Sequence, residues 1–109
     1  MKKIKTKDNT WVRDNGQKPD ASLLHPDFIL GTAQVMTYGT IKYDRNNYLK
    51  GDGMPSHVVY ASMMRHLLAY MQGAELDEES GLPHLHHAAA NLNMLIALDN
   101  KGVKPESFK

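Results

Sequence analysis

Apolar residues gather in three stretches of this chain, and in each they recur at the three- or four-residue spacing of an amphipathic helix. The first stretch is PDFILGTAQVMTYG, residues 26–39. Phe28, Ile29, Ala33 and Met36 mark its apolar side. Pro26, after His25, suits a first helical position, and Gly39 suits the end. The second stretch is PSHVVYASMMRHLLAYMQG, residues 55–73, with Ser56 as N-cap and Gly73 as stop. Val59, Met63, His66 and Tyr70 share one face; Val58, Ser62, Arg65 and Ala69 share the next. A buried Arg is costly unless paired, so Arg65 needs an anionic partner or a route to solvent. The third helix is predicted to start near Pro83, after a Ser80-Gly81 turn, and to run to about Asn100 with Gly102 as its cap. Leu85, Ala88, Ala89, Leu92, Leu95 and Ile96 form a broad apolar face, and His84, His87 and Asn91 form a second face.

The connections are polar. Residues 1–15 are aperiodic, with lysines at 2, 3, 5 and 7, and read as a flexible basic arm that Trp11 pins to the body. Residues 16–28, GQKPDASLLHPDF, read as an ordered loop. Residues 40–55 mix Asn, Asp, Gly and basic residues with Tyr43 and Tyr48, the composition of a functional loop. Residues 103–109 read as a loose tail. Neither an internal repeat nor strand alternation is visible. The predicted fold is all-α: a small three- to four-helix domain over residues 16–102 with long polar loops. A core this thin favours a homo-oligomer that covers the remaining apolar faces.

Composition narrows the function classes. At 109 residues the chain suits one domain, and its 41% apolar and 23% charged content is ordinary for a globular protein. The absence of cysteine rules out disulfides and thiolate metal sites. No apolar run is long enough to span a bilayer, and the basic N-terminus has no apolar stretch behind it, so neither a membrane partner nor a secretory signal is expected. The expected location is the cytoplasm. A net charge of +1 argues against general nucleic-acid binding.

The candidate chemistry sits in the segment DEESGLPHLHHAAAN, residues 77–91, and in the loop before the second helix. His84 and His87 are three apart, close enough to share a metal with an acid from Asp77, Glu78 or Glu79, although two such histidines are a weak metal signal. The acids can equally serve a helix entry, where the dipole favours negative charge. With Glu75 they also offer enough carboxylate for Mg²⁺, which is held by one or two carboxylates plus phosphate oxygens. Lys18, Lys42, Arg45 and Arg65 can hold phosphates. Asn46 and Asn47 suit a base edge or a sugar, and Tyr43 and Tyr48 can stack on a base. There is no Gly-rich phosphate loop, and no Ser or Cys has a nucleophile's setting.

The blocks GQKPD (16–20), TYGTIKYDRNNYLKG (37–51), MRHLLAYMQG (64–73) and DEESGLPHLHHAAANL (77–92) together resemble the phage-associated dATP/dGTP diphosphohydrolase N-terminal family, related to MazG-like all-α nucleotide pyrophosphohydrolases. The resemblance covers nearly all of the chain after residue 15. It implies a phage origin and Mg²⁺-dependent cleavage of a purine deoxynucleoside triphosphate to the monophosphate and pyrophosphate. The positions it carries over are Lys18, Asp20, Lys42, Tyr43, Arg45, Asn47, Arg65, His66, Asp77, Glu79, Ser80, His84, His87 and Asn91. Tyr48 stands where the family usually has Trp, and the ExxE and ExxD pairs of MazG-like enzymes are missing from the predicted helices.

Two functions follow. In the first, Asp77 and Glu79 hold Mg²⁺, and His84 or His87 acts as general base on the attacking water. Lys18, Lys42, Arg45 and Arg65 neutralise the phosphates, while Tyr43, Asn47, His66 and Asn91 complete the nucleotide site. In the second, the same groups bind a nucleotide, such as a host immune signal, and sequester it uncleaved.

Overall fold

The computed structural model describes residues 18–106 in full, and residues 2–5 and 11–14 as backbone. Three helices make the body: α1 Pro26–Lys42, α2 Ser56–Met71 and α3 His84–Lys101. The fold class is all-α, as the apolar spacing predicts. Ahead of the helices, strands β1 (Lys2–Lys5) and β2 (Trp11–Asp14) pair antiparallel, Ile4 opposite Val12. The polar, aperiodic sequence gave no sign of these strands. They touch each other and no other element among the described residues. The Trp11 anchor concerns a side chain outside the described part.

Helix starts follow local chemistry. His25 caps α1 by accepting from the Asp27 N–H through Nδ1 (3.1 Å), and Pro26 follows it, spending no amide in the first turn. Gly39 does not end this helix. The chain stays helical to Lys42 and is stopped at Tyr43, whose extended backbone still donates to the Gly39 carbonyl. Gly39 sits inside the helix without a positive φ, so glycine's backbone freedom is not used there. Helix α2 begins one residue after Pro55, so Ser56 is the first helical residue rather than the cap. Gly102, at φ 107°, closes α3 in the left-handed conformation that glycine tolerates.

Helix α3 is central and packs against both α1 and α2. Its inner face is not the broad apolar one. Ala88, Ala90 and Leu98 are buried together with His84 and Asn91, whereas Leu85, Leu92 and Ile96 face outward. The histidine–asparagine face therefore points inward, and the leucine face lies open. On α1, Gly31 and Val35 are buried while Phe28 and Ile29 are exposed. Val59, 1% exposed, seats α2. After α3, Val103 donates to the Leu98 carbonyl at 2.9 Å and lies over Gly53.

Candidate functional site

Residues 72–83, a twelve-residue loop, join α2 to α3, and the folding of the 74–83 part puts the site together. The loop closes on itself through Asp77 N–H to Leu82 O and His84 N–H to Glu75 O, both 2.8 Å. Inside it the Asp77 carboxylate accepts from the Ser80 amide and the Ser80 hydroxyl, each at 2.9 Å. This is the familiar habit of Asp in a turn, bonding the backbone a few residues ahead. Ser80 Oγ also accepts from the Leu82 amide and lies 2.7 Å from His87 Nε2. The hydroxyl proton is spent on Asp77, so the pair is satisfied when His87 carries its proton on Nε2 and donates it to Ser80. Nδ1 is then the basic nitrogen of His87.

The three histidines form one cluster. His66, from the middle of α2, stacks on His87 with centroids 4.4 Å apart and planes 10° off parallel. Its Nδ1 lies 2.8 Å from His84 Nδ1. Burial, and then the charge of a protonated His87, brings the His66 pKa down to about 4. Burial likewise lowers His87, against the pull of Asp77. Burial works to raise Asp77, but the Ser80 hydrogen bonds and the neighbouring imidazoles outweigh it and hold this acid below its usual range. At neutral pH the two stacked imidazoles are therefore uncharged beside an ionised carboxylate.

This cluster forms one wall of a cavity of about 620 Å³ between α1, α2, α3 and the 43–54 loop. Lys42, Tyr43, Asn47, Arg65, His66, Asp77, Glu79, His87 and Asn91 all line it. Lys18 and Arg45 are exposed and line other surface, and His84 stands behind the wall, buried against His66. Arg65 is exposed in the cavity mouth, so it reaches solvent and pays no burial penalty. Lys42 pairs with Glu79, linking the end of α1 to the 74–83 loop. Asn91 is 6% exposed, and its Oδ1 has no hydrogen-bond partner. A buried amide oxygen left unpaired costs about 1–3 kcal/mol.

Two links within the site were not foreseen from the sequence, although the resemblance carries over the residues that make them. Ser80 is the link between Asp77 and His87, and its signal was the Asp-x-x-Ser-Gly spacing of a side-chain-capped turn. The His66–His84 contact spans 18 residues and two helices, so no local pattern announces it.

Mg²⁺ takes oxygen ligands, commonly one or two carboxylates with phosphate oxygens and waters, and the described residues build no all-oxygen cage for it. Glu79 is engaged by Lys42, and Asp77 is the one carboxylate in the group formed with His66 and His84, whose ligand atoms lie within 4.8 Å of one another.

Comparison with known proteins follows the same lines. Residues 8–107 match the family model described as dATP/dGTP diphosphohydrolase, N-terminal. A protein of Salmonella phage PMBT28 named dATP/dGTP diphosphohydrolase is 33% identical over 87 residues, 80% of this chain. The aligned part spans 29% of that relative's length. No solved structure matches the chain. No helix among the described residues is long and apolar enough to cross a membrane.

Proposed function

The chain belongs to the dATP/dGTP diphosphohydrolase N-terminal family, and from that premise we propose that its cavity takes a purine deoxynucleoside triphosphate and cleaves it to the monophosphate and pyrophosphate. The observation that carries the reading is the make-up of one cavity. It sets aromatic rings, cations, an unpaired amide oxygen and an oriented neutral histidine around a volume of about 620 Å³, in the range of small-molecule sites.

Tyr43 and Tyr48 offer faces for the base, and burial raises the Tyr48 pKa so that its phenol stays neutral. Asn91 Oδ1 accepts from an amino or hydroxyl group of the nucleoside. Arg65 meets the phosphates as a fork, and Lys42 exchanges Glu79 for a phosphate oxygen. The substrate is the magnesium complex of the triphosphate. His87, held through Ser80 by Asp77, takes a proton from water as its oxygen bonds the α-phosphorus. The bond from that phosphorus to the α–β bridging oxygen breaks, and pyrophosphate leaves. The cations stabilise the charge that spreads over the phosphoryl oxygens.

The test is incubation of the purified chain with dGTP or dATP and magnesium, followed by analysis of the nucleotides after denaturation. Monophosphate and pyrophosphate are expected, and His87→Ala should slow their appearance by about 10²–10⁴-fold. Intact nucleotide recovered from a thermally stabilised protein would overturn cleavage and leave a sequestering protein. Absence of both cleavage and stabilisation would overturn the nucleotide site itself.

A further inference from the structure

We propose that His66, Asp77 and His84 form a binding site for a divalent transition-metal ion of the zinc type, set in the cavity wall. Their ligand atoms lie within 4.8 Å of one another, and they come from three parts of the chain: mid-α2, the 74–83 loop and the first residue of α3. Two imidazoles and one carboxylate are the donors of first-row transition ions, whereas Mg²⁺ takes oxygen.

The present hydrogen bonds leave room for such an ion. A single proton bridges the two Nδ1 atoms, 2.8 Å apart, so one of them already presents a bare lone pair to the other. Zinc bonds of about 2.0–2.1 Å in tetrahedral array put donor atoms roughly 3.3 Å apart, so this pair opens by only about half an ångström. When the ion enters, the bridging proton moves to the Nε2 of its own ring, and the dication lies beside the Asp77 carboxylate, which is only partly exposed.

The surroundings supply the second set of contacts that metal ligands need. Ser80 donates two hydrogen bonds to the Asp77 carboxylate and fixes its direction. The backbone bond from His84 N–H to Glu75 O fixes the start of α3. His84 is only 9% exposed, so its ring is kept from alternative partners in solvent. His66 and Asp77 line the cavity and His84 does not. Three protein ligands therefore leave an open coordination position on the cavity side, the arrangement of zinc sites that act on bound molecules.

The inference does not depend on the nucleotide reading, because the metal alone is the probe. The full chain is stripped with EDTA, dialysed against Zn²⁺, Co²⁺ or Mg²⁺ in turn, and its bound metal is measured by mass spectrometry. About one Zn²⁺ or Co²⁺ per chain is expected, with a rise in Tm and a visible Co²⁺ absorption band typical of low coordination number. Mg²⁺ at equal concentration should neither bind nor compete. His66→Ala and Asp77→Asn should each abolish retention, Ser80→Ala should weaken it about tenfold, and His57→Ala, on the exposed side of α2, should leave it intact. Circular dichroism identifies any variant that fails to fold, and for such a variant the Co²⁺ spectrum of the parent chain decides: imidazole ligation supports the site, a hexa-aquo spectrum overturns it. Absence of retained Zn²⁺ and Co²⁺, equal loss in His57→Ala, or displacement by Mg²⁺ would also overturn it.

Discussion

At the scale of single residues, the site stands out by what its side chains lack. Asn91 is buried with Oδ1 unpaired, a cost a folded protein accepts where a ligand supplies the missing donor. Asn91→Leu keeps the volume and removes the unpaired group. The variant should resist urea at least as well as the parent while its affinity for dGTP, read by isothermal titration, falls at least about tenfold, one hydrogen bond's worth. An unchanged affinity would take Asn91 out of the site. Gly31 illustrates the opposite case, a position with no spare room. A methyl group there would stand 2.4 Å from His86 Nδ1, where α1 crosses α3. Gly31→Ala should lower stability by about 1–3 kcal/mol in urea titration, since the His86 ring must move. Both residues look ordinary in the sequence. What makes them special is a neighbour some fifty residues away for Gly31, and an empty volume for Asn91.

At the scale of elements, the decisive feature is which face of α3 turns inward. Packing the polar face against α2 brings three imidazoles together, and burial there lowers the pKa of His66 and His87. The sign of the pH dependence follows too. Folded His66 titrates near 4, below the ordinary value of 6.5, so between these values the unfolded chain binds a proton that the folded chain refuses. Its contribution to stability is fully present above pH 6.5 and is lost as pH falls towards 4. Asp77, also lowered, adds a loss further down, below its ordinary 3.8. In EDTA, the Tm should therefore fall steadily from pH 7 to pH 4, and His66→Asn should flatten the upper part of that slope. A Tm indifferent to pH over this range would mean the cluster opens in solution. The elements themselves were largely legible: helix type, the α2 and α3 ends and the Gly102 cap follow from spacing and punctuation. The end of α1 was not, because Gly39 only permits a stop and Lys42–Tyr43 supplies it.

At the scale of the whole molecule, the helices cover each other incompletely. Among the described residues Val59 and Leu98 are the largest side chains buried almost completely, whereas Phe28, Leu30, Leu68, Leu92 and Ile96 are exposed by 45% or more. Open apolar surface of this kind suits a subunit, and we propose that the chain self-associates. Sedimentation should give a mass above that of one chain at micromolar concentration. A double substitution on the outer face of α3, Leu92→Glu with Ile96→Glu, should shift it towards the monomer without loss of helix content. A monomer for the parent chain at every concentration would exclude the assembly.

The sequence by itself determined the helical class and the three helices, and it singled out many of the polar residues that line the cavity, though not its apolar wall. These rest on local rules: periodicity, caps, and the clustering of Lys42–Asn47 and Asp77–Asn91 into short segments. Only the tertiary structure decided which helix face is inside, that Ser80 carries the link from Asp77 to His87, that Glu79 pairs with Lys42, and that His66 meets His84. Periodicity assigns residues to faces but says nothing of what a face meets. The apolar face of α3 is the better candidate for burial on hydrophobic grounds alone. Its Leu85, Leu92 and Ile96 turn outward while His84 and His87 find partners on the inner side, with Ala88 and Ala90 buried beside them. Hydrogen bonding between residues distant in sequence settled what hydrophobic patterning left open.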